Sequence, residues 1–241
     1  MEYCRAPEIE RDWALFLDLD GTLLDLAPRP DQVIVPGGLC DTLRHLRDAL
    51  NGALAIVSGR PLSEIDRLLG DLKPTAAGEH GAVIRYPNHE VLDYSAAIKP
   101  PAIWIAALHR SVKNWPGVII EEKCYSIAVH FRLAPERAES VATLMGALVA
   151  QDTAHFELLV AHQALEIKPR GVSKADVVRQ LMAVTPFKTR FPVFVGDDVT
   201  DLDGMAAAQR LGGLGLHVAH DFGNAPSAVR EWIAQAAMSF A

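Results

Sequence analysis

The sequence predicts an α/β protein, a doubly wound, mainly parallel sheet core with an inserted α+β lid. Three observations carry that prediction. Continuous apolar runs at 14–17, 53–57 and 191–195 suit strands buried on both faces of a parallel sheet. Segments with Leu, Ile and Val at helical spacing alternate with those runs, which gives β-α-β-α order. Within 84–169, apolar and polar residues instead alternate every second position, the pattern of a sheet with one open face. The expected division is a core of residues 1–83 and 170–241 and a lid of residues 84–169.

Residues 1–12 read as a lead-in. The first strand ends at Asp18-Leu19-Asp20-Gly21-Thr22. Residues 25–36, with Pro28, Pro30 and Pro36, form a loop or small flap above that end, because prolines at this density exclude regular structure. Gly37-Gly38 open a helix with Leu39, Leu43, Leu46 and Leu50 at helical spacing, and Asn51-Gly52 close it as a C-cap pair. The second strand ends at Ser58-Gly59-Arg60. Pro61 then opens a helix whose inner face carries Leu62, Ile65 and Leu69. Residues 76–78 make a third short strand, followed by Glu79-His80-Gly81. There the pattern changes, with a short strand at 83–86. The lid reads as a four-stranded sheet with two helices: strands near 118–120, 125–132, 156–160 and 164–168, helices over 100–114 and 134–150. Ser173 caps a helix holding Val177, Val178, Leu181 and Met182. The fourth core strand ends at Gly196-Asp197-Asp198-Val199-Thr200-Asp201. A last strand at 213–218 and a closing helix at 225–237 complete the chain.

Composition narrows the function classes. The chain has 241 residues, half of them apolar, enough for a sizeable core. Its net charge of −7 argues against nucleic acid or an anionic membrane as partner. Cys4, Cys40 and Cys124 lie far apart with no metal-ligand spacing, which reads as a reduced intracellular protein. Residues 1–11 lack a signal-peptide apolar stretch, and no run reaches the ~18 apolar residues needed to span a bilayer. The expectation is a cytoplasmic protein acting on a small molecule.

Four polar clusters sit at strand ends or a helix start: Asp18 and Asp20; Ser58; Lys174; and Asp197, Asp198 and Asp201. Ligands in parallel sheets bind just beyond the carboxyl ends of the strands. In extended chain, Asp18 and Asp20 point to the same side, and two like charges so close call for a cation or a proton. Taken singly, each cluster has a plain reading: an acidic turn, a helix cap, a surface lysine, a helix N-terminus. Taken together they supply what a phosphate and its metal require, namely donors, a neutralising cation and hard oxygen ligands.

In this order, Asp-x-Asp-Gly-Thr, Ser-Gly-Arg, Lys174 and Gly-Asp-Asp-x-x-Asp resemble the four motifs of the haloacid dehalogenase superfamily, and the inserted segment resembles its type-II lid. More narrowly, the chain resembles trehalose-6-phosphate phosphatases. That resemblance rests on Gly78-x-His80-Gly81, Glu121-x-Lys123, His130-Phe131-Arg132, Leu165 through Gly171 with Ser173-Lys174, Gly196-Asp197-Asp198-x-Thr200-Asp201, and Arg210 through Gly213. One lid position departs from the pattern: Cys124 stands where glycine is common.

The resemblance implies a Mg²⁺-dependent phosphatase acting through an aspartyl-phosphate. Asp18 would be the nucleophile and Asp20 the acid and base, which requires surroundings that favour its protonated form during the cycle. Ser58 and Lys174 would bind the phosphoryl oxygens. Asp18, the backbone carbonyl of Asp20 and Asp197 would hold the metal, with Asp198 and Asp201 as outer or weaker ligands. Substrate contacts would fall at Gly21, Gly59, Arg60 and His80, and sugar contacts at Glu121, Lys123, Arg132 and Glu166. The lid type covers a site without a partner subunit, so a monomer would suffice. The alternatives are a phosphatase for sucrose phosphate or a mannosyl-phosphoglycerate, and a non-catalytic sugar-phosphate-binding regulatory domain.

Overall fold

The structure, a computed structural model, describes residues 6–93, 98–161 and 163–240. Residues 1–5 of the expected lead-in, with Cys4, lie outside the described residues. The chain divides into two compact units, residues 1–92 with 173–241, and residues 93–172.

The first unit is built on β1 (Trp13–Leu17), α1 (Leu39–Ala49), β2 (Leu54–Val57), α2 (Leu62–Leu69), β3 (Thr75–Gly78), β4 (Val83–Arg85) and β5 (Val91–Asp93). The second unit holds α3 (Ala102–Val112), β6 (Ile119–Glu122), β7 (Ile127–His130), α4 (Ala138–Val149), β8 (Phe156–Ala161) and β9 (Ala164–Pro169). The chain then returns to the first unit through α5 (Lys174–Leu181), β10 (Phe191–Gly196), α6 (Val199–Arg210), β11 (Leu214–His217), α7 (Val218–Asp221) and α8 (Pro226–Ser239).

The large sheet has the order β11-β10-β1-β2-β3-β4-β5. From β11 to β3 every pairing is parallel, and β4 runs antiparallel to β3. The fold is therefore the doubly wound, mainly parallel α/β core that the continuous apolar runs predicted. All five residues of β1 and all four of β2 are buried, as strands covered on both faces must be. Helix α1 packs on α8, and α5 on α6. Burial of Leu15, Phe16, Leu17, Ile56, Phe194 and Val195 fixes where β1, β2 and β10 end, and those ends carry the polar clusters.

The observed boundaries correct the expected division. The break at 83/84 moves to 92/93, because β4 pairs with β3 and so belongs to the core sheet; the return moves from 169/170 to 172/173. The strand at 83–86 departs from the core pattern because it is short and runs antiparallel to β3, between β3 and β5. Of helix α6, only an N-terminus at Asp198 and Asp201 is expected from the sequence, as the plain reading of that cluster. The helix carries Gly204 and a run of alanines rather than a stripe of large apolar residues, since it lies close on β10: a Cβ at Gly204 would meet the Phe194 ring at 2.5 Å.

In the second unit the small sheet is antiparallel, with the order β6-β7-β9-β8. One side is apolar: Ile127, Val129, Leu165 and Ile167 pack with Trp104, Leu108, Val141 and Met145 of α3 and α4. Strand β7 ends at His130, and Arg132 falls in the turn beyond it. The alternation predicted over 125–132 therefore places Ser126, Ala128 and His130 on one face and does not extend to Arg132.

Candidate active site

Asp18 is the first residue past β1. Its N–H still donates to Val195 O at 2.9 Å, so the parallel pairing with β10 holds its position. The next turn is anchored from below. Leu19, Leu23 and Leu24 are fully buried, and the N–H groups of Leu23 and Leu24 donate to Leu19 O. Gly21 sits in the left-handed region at φ +81°, and a Cβ there would lie 2.1 Å from Asp197 Oδ2. Glycine is required at this position both for the turn and for the close approach of Asp197.

Lys174, the first residue of α5, inserts between two carboxylates. Its Nζ donates to Asp18 Oδ1 and to Asp201 Oδ1, each at 2.6 Å, and all three side chains are buried. The Ser173 cap places it: the Ser173 side chain accepts from the Asp176 N–H, as the sequence suggested. Asp201 Oδ2 in turn accepts the backbone N–H groups of Asp197 and Asp198 at 3.1 and 3.0 Å. Asp198 closes the capping box of α6, with Oδ1 accepting from Val199 N–H at 2.8 Å. Thr22, given no role by the sequence reading, donates from Oγ1 to Asp197 Oδ1 at 3.1 Å.

Asp18, Asp197 and Asp201 each present a carboxylate oxygen within 4.8 Å of the others. Burial, with the charges of Asp201 and Asp197, holds the Asp18 carboxyl well above its ordinary range against the pull of Lys174. Burial and the charge of Asp201 push Asp197 up to about 7. For Lys174 the two carboxylates outweigh burial and raise its pKa, so it is an ammonium. Three acidic groups thus share one fixed cation, and hard oxygen ligands crowded in this way suit a divalent metal. The structure sorts the predicted ligands. Asp18 and Asp197 belong to the cluster. Asp201 belongs too, but its oxygens are taken by Lys174 and two backbone N–H groups. Asp198 is turned into the helix cap, and the Asp20 side chain lies elsewhere.

Asp20 is gripped by Arg60. Nε donates to Oδ2 at 2.6 Å and Nη2 to Oδ1 at 2.8 Å, while Nη2 also reaches Pro30 O at 3.1 Å, tying the proline-rich loop to the same guanidinium. This is a bidentate guanidinium–carboxylate pair. Ser58 ends β2 and is buried; its Oγ accepts from Arg60 N–H at 3.1 Å, which leaves the hydroxyl proton as the donor. His80 N–H donates to Ser58 O at 3.1 Å, and the His80 ring lies against Gly59, where a Cβ would be 2.7 Å from the ring. The core therefore brings Asp18, Asp20, Gly21, Ser58, Gly59, Arg60, His80, Lys174, Asp197 and Asp201 to connected strand ends.

The second unit carries a separate polar cluster on its small sheet. Glu166 of β9 lies opposite Ala128 of β7, and Ala128 opposite Glu121 of β6, so the two carboxylates share a face. Lys123 Nζ donates to Glu166 Oε2 at 2.9 Å, and Ser126 Oγ donates to Glu166 Oε1 at 2.5 Å. His130 Nε2 lies 2.7 Å from Glu121 Oε2. Burial opposes the Glu121 charge, but the His130 hydrogen bond and the Lys123 charge prevail and hold its carboxyl below the ordinary range. Sequence reasoning had named Glu121, Lys123 and Glu166. Ser126 belongs to none of the motifs, although it precedes β7 in the same alternation as Ala128 and His130.

Comparison with known proteins agrees with these motifs. Residues 16–230 match the family described as Trehalose-phosphatase. The trehalose-6-phosphate phosphatase of Escherichia coli (strain K12) is 38% identical over 215 residues, covering 88% of this chain and 79% of that protein. A probable trehalose-phosphate phosphatase of Sinorhizobium fredii is also 38% identical, over 86% of this chain and 78% of its own. Among solved structures, the C-terminal domain of the C. albicans trehalose-6-phosphate phosphatase superposes with a TM-score of 0.78 over 98% of this chain and 99% of that one, at 17% identity, a likeness of fold.

Proposed function

The chain belongs to the trehalose-phosphatase family, and from that premise we propose that it hydrolyses trehalose 6-phosphate to trehalose and phosphate, the last step of trehalose biosynthesis, with Mg²⁺. The single observation that carries the reading is the crowding of Asp18, Asp197 and Asp201 around one buried lysine at the ends of β1 and β10. A binding module has no use for such uncompensated charge. A phosphoryl-transfer site does, because a nucleophilic carboxylate has to sit beside metal ligands.

The proposed roles follow. The Asp18 carboxylate attacks phosphorus; a bond from its oxygen to phosphorus forms as the bond to the sugar oxygen breaks. Asp20 delivers a proton to that leaving oxygen once the Arg60 fork opens, and takes a proton back from the water that hydrolyses the aspartyl-phosphate. Lys174 and the Ser58 hydroxyl bind the phosphoryl oxygens, and Thr22 orients Asp197. Asp18, the backbone carbonyl of Asp20 and Asp197 would hold the cation, with Asp201 as an outer support. When bound, the cation supplies charge neutralisation to the phosphoryl group. On the inserted unit, read as the lid, Glu121, Lys123, Arg132 and Glu166 bond sugar hydroxyls; a site built for hydroxyls rejects analogues that lack them. The partner is a small sugar phosphate, the setting cytoplasmic. Among the described residues no helix is long and apolar enough to cross a membrane.

The test is phosphate release from trehalose 6-phosphate, sucrose 6-phosphate, glucose 6-phosphate and a mannosyl-phosphoglycerate, each with Mg²⁺ and with EDTA. Turnover of the first alone, and only with metal, is the expected result. Turnover of another sugar phosphate instead overturns the sugar assignment. Release of nothing overturns the enzymatic one.

A further inference from the structure

Glu166 is buried on β9, and its two carboxylate oxygens are addressed by different kinds of donor. Lys123 is a compact charge on a flexible four-carbon stem. It fixes roughly where the carboxylate lies but not how its plane turns. Ser126 differs. It is 1% exposed, and its Oγ is a single bond from Cβ. Its backbone is pinned too: Ser126 O accepts from Lys123 N–H at 3.0 Å across the turn joining β6 to β7.

The register explains why these groups meet. Glu166 pairs with Ala128, and Ser126 stands two residues before Ala128, so Ser126 occupies the diagonal position on the face of Glu166. Diagonal neighbours are within reach of a long side chain. A short hydroxyl at 2.5 Å and an ammonium at 2.9 Å, on different oxygens, define the orientation of the carboxylate.

We infer that Ser126 is a positioning residue for sugar recognition: its hydroxyl orients the Glu166 carboxylate so that Glu166 meets the hydroxyls of the disaccharide at the angle that discriminates it from other phosphate esters. A carboxylate oxygen accepts from more than one donor, so the oxygen that Ser126 fixes still accepts from a sugar hydroxyl. Preorganisation of this kind sharpens specificity because the substrate does not have to order the carboxylate itself. The inference rests on the proposed role of Glu166 as a sugar contact.

The experiment is a double-mutant cycle of Ser126→Ala and Glu166→Ala in the full chain. It reads the ratio of kcat/KM for trehalose 6-phosphate to kcat/KM for a simple aryl phosphate. Ser126→Ala is expected to lower that ratio about tenfold, through KM for the sugar substrate, as loss of one hydrogen bond to a charged group implies. Glu166→Ala lowers it further. Adding Ser126→Ala to Glu166→Ala changes nothing more, because a residue acting through Glu166 has no effect once Glu166 is gone. An unchanged ratio in Ser126→Ala overturns the inference while leaving Glu166 as a sugar contact. So does a drop that persists in the Glu166→Ala background. If Glu166→Ala itself leaves the ratio unchanged, the sugar-contact reading and this inference fail together, an outcome told apart by that single variant.

Discussion

The two polar clusters of this chain use the same residue types and solve opposite electrostatic problems. In the first unit, Asp18, Asp197 and Asp201 surround one lysine, and burial leaves Asp18 and Asp197 with raised pKa values. In the second, Glu166 has Lys123 and Glu121 has His130, each at hydrogen-bond distance, and Glu121 is held below its ordinary value. The first cluster is short of positive charge and asks for a cation. The second is balanced and offers hydrogen bonds. Buried charge left uncompensated suits the proposed chemistry, and charge paired across strands suits the proposed recognition of a sugar.

The largest loss is expected at Asp18. Asp18→Asn keeps size but removes the proposed nucleophile, so turnover of every phosphate ester should fall about 10⁴-fold or more. Near-normal phosphate release by Asp18→Asn would refute the assignment. Next comes Lys174, the one fixed cation between two buried carboxylates. Lys174→Met leaves them facing each other and should cost about 3–5 kcal/mol of stability, measured by urea unfolding. A loss under 1 kcal/mol would mean that the two carboxylates find another counter-charge.

Much of the first cluster was legible in the sequence because its positions follow from strand ends. A continuous apolar run that stops at Asp18, Ser58 or Gly196 announces both the strand and the residue just beyond it. What stayed hidden depended on long-range pairing. No local pattern says that Arg60 reaches Asp20, forty residues earlier in the chain, or that Ser126 reaches Glu166, forty residues later. Arg132 lies beyond the end of β7, so the period of two expected over 125–132 does not carry it onto the face of His130. The shortness and antiparallel direction of β4 hid its membership of the core sheet. The body of helix α6 was unreadable for the same reason that it fits: small residues let it lie close on β10.

The two clusters should respond to pH with opposite sign. Asp197 titrates at about 7 in the folded chain without metal, against roughly 3.9 when unfolded. The folded state therefore binds more protons between those values, and metal-free stability should fall as pH rises from 4 to 8. The expected drop in Tm is about 5 °C or more at EDTA-treated pH 8 relative to pH 5, and added Mg²⁺ should reverse it. A metal-free Tm that rises over that range would remove the argument that this cluster is short of positive charge.

The smallest effect probes the second cluster and should have the opposite sign. The folded-state pKa of Glu121 is depressed, so its contribution is present above the unfolded value of roughly 4.3 and is lost as pH falls through the folded one. Its side chain is 26% exposed, so solvent screening keeps the contribution to about 0.5 kcal/mol. Hydrogen exchange in the full chain separates the two units: protection of β6 and β7 should weaken on acidification from pH 5, a direction in which the raised Asp197 pKa takes no stability from the metal-free first unit. Glu121→Gln removes the titrating group without removing the side chain, so the acid-dependent loss in β6 and β7 should shrink while the pH response of β1 and β10 is untouched. If Glu121→Gln left the acid response of β6 and β7 as it was, the balance seen in this cluster would rest on Lys123 and Glu166 alone, and the His130 hydrogen bond to Glu121 would carry no part of it.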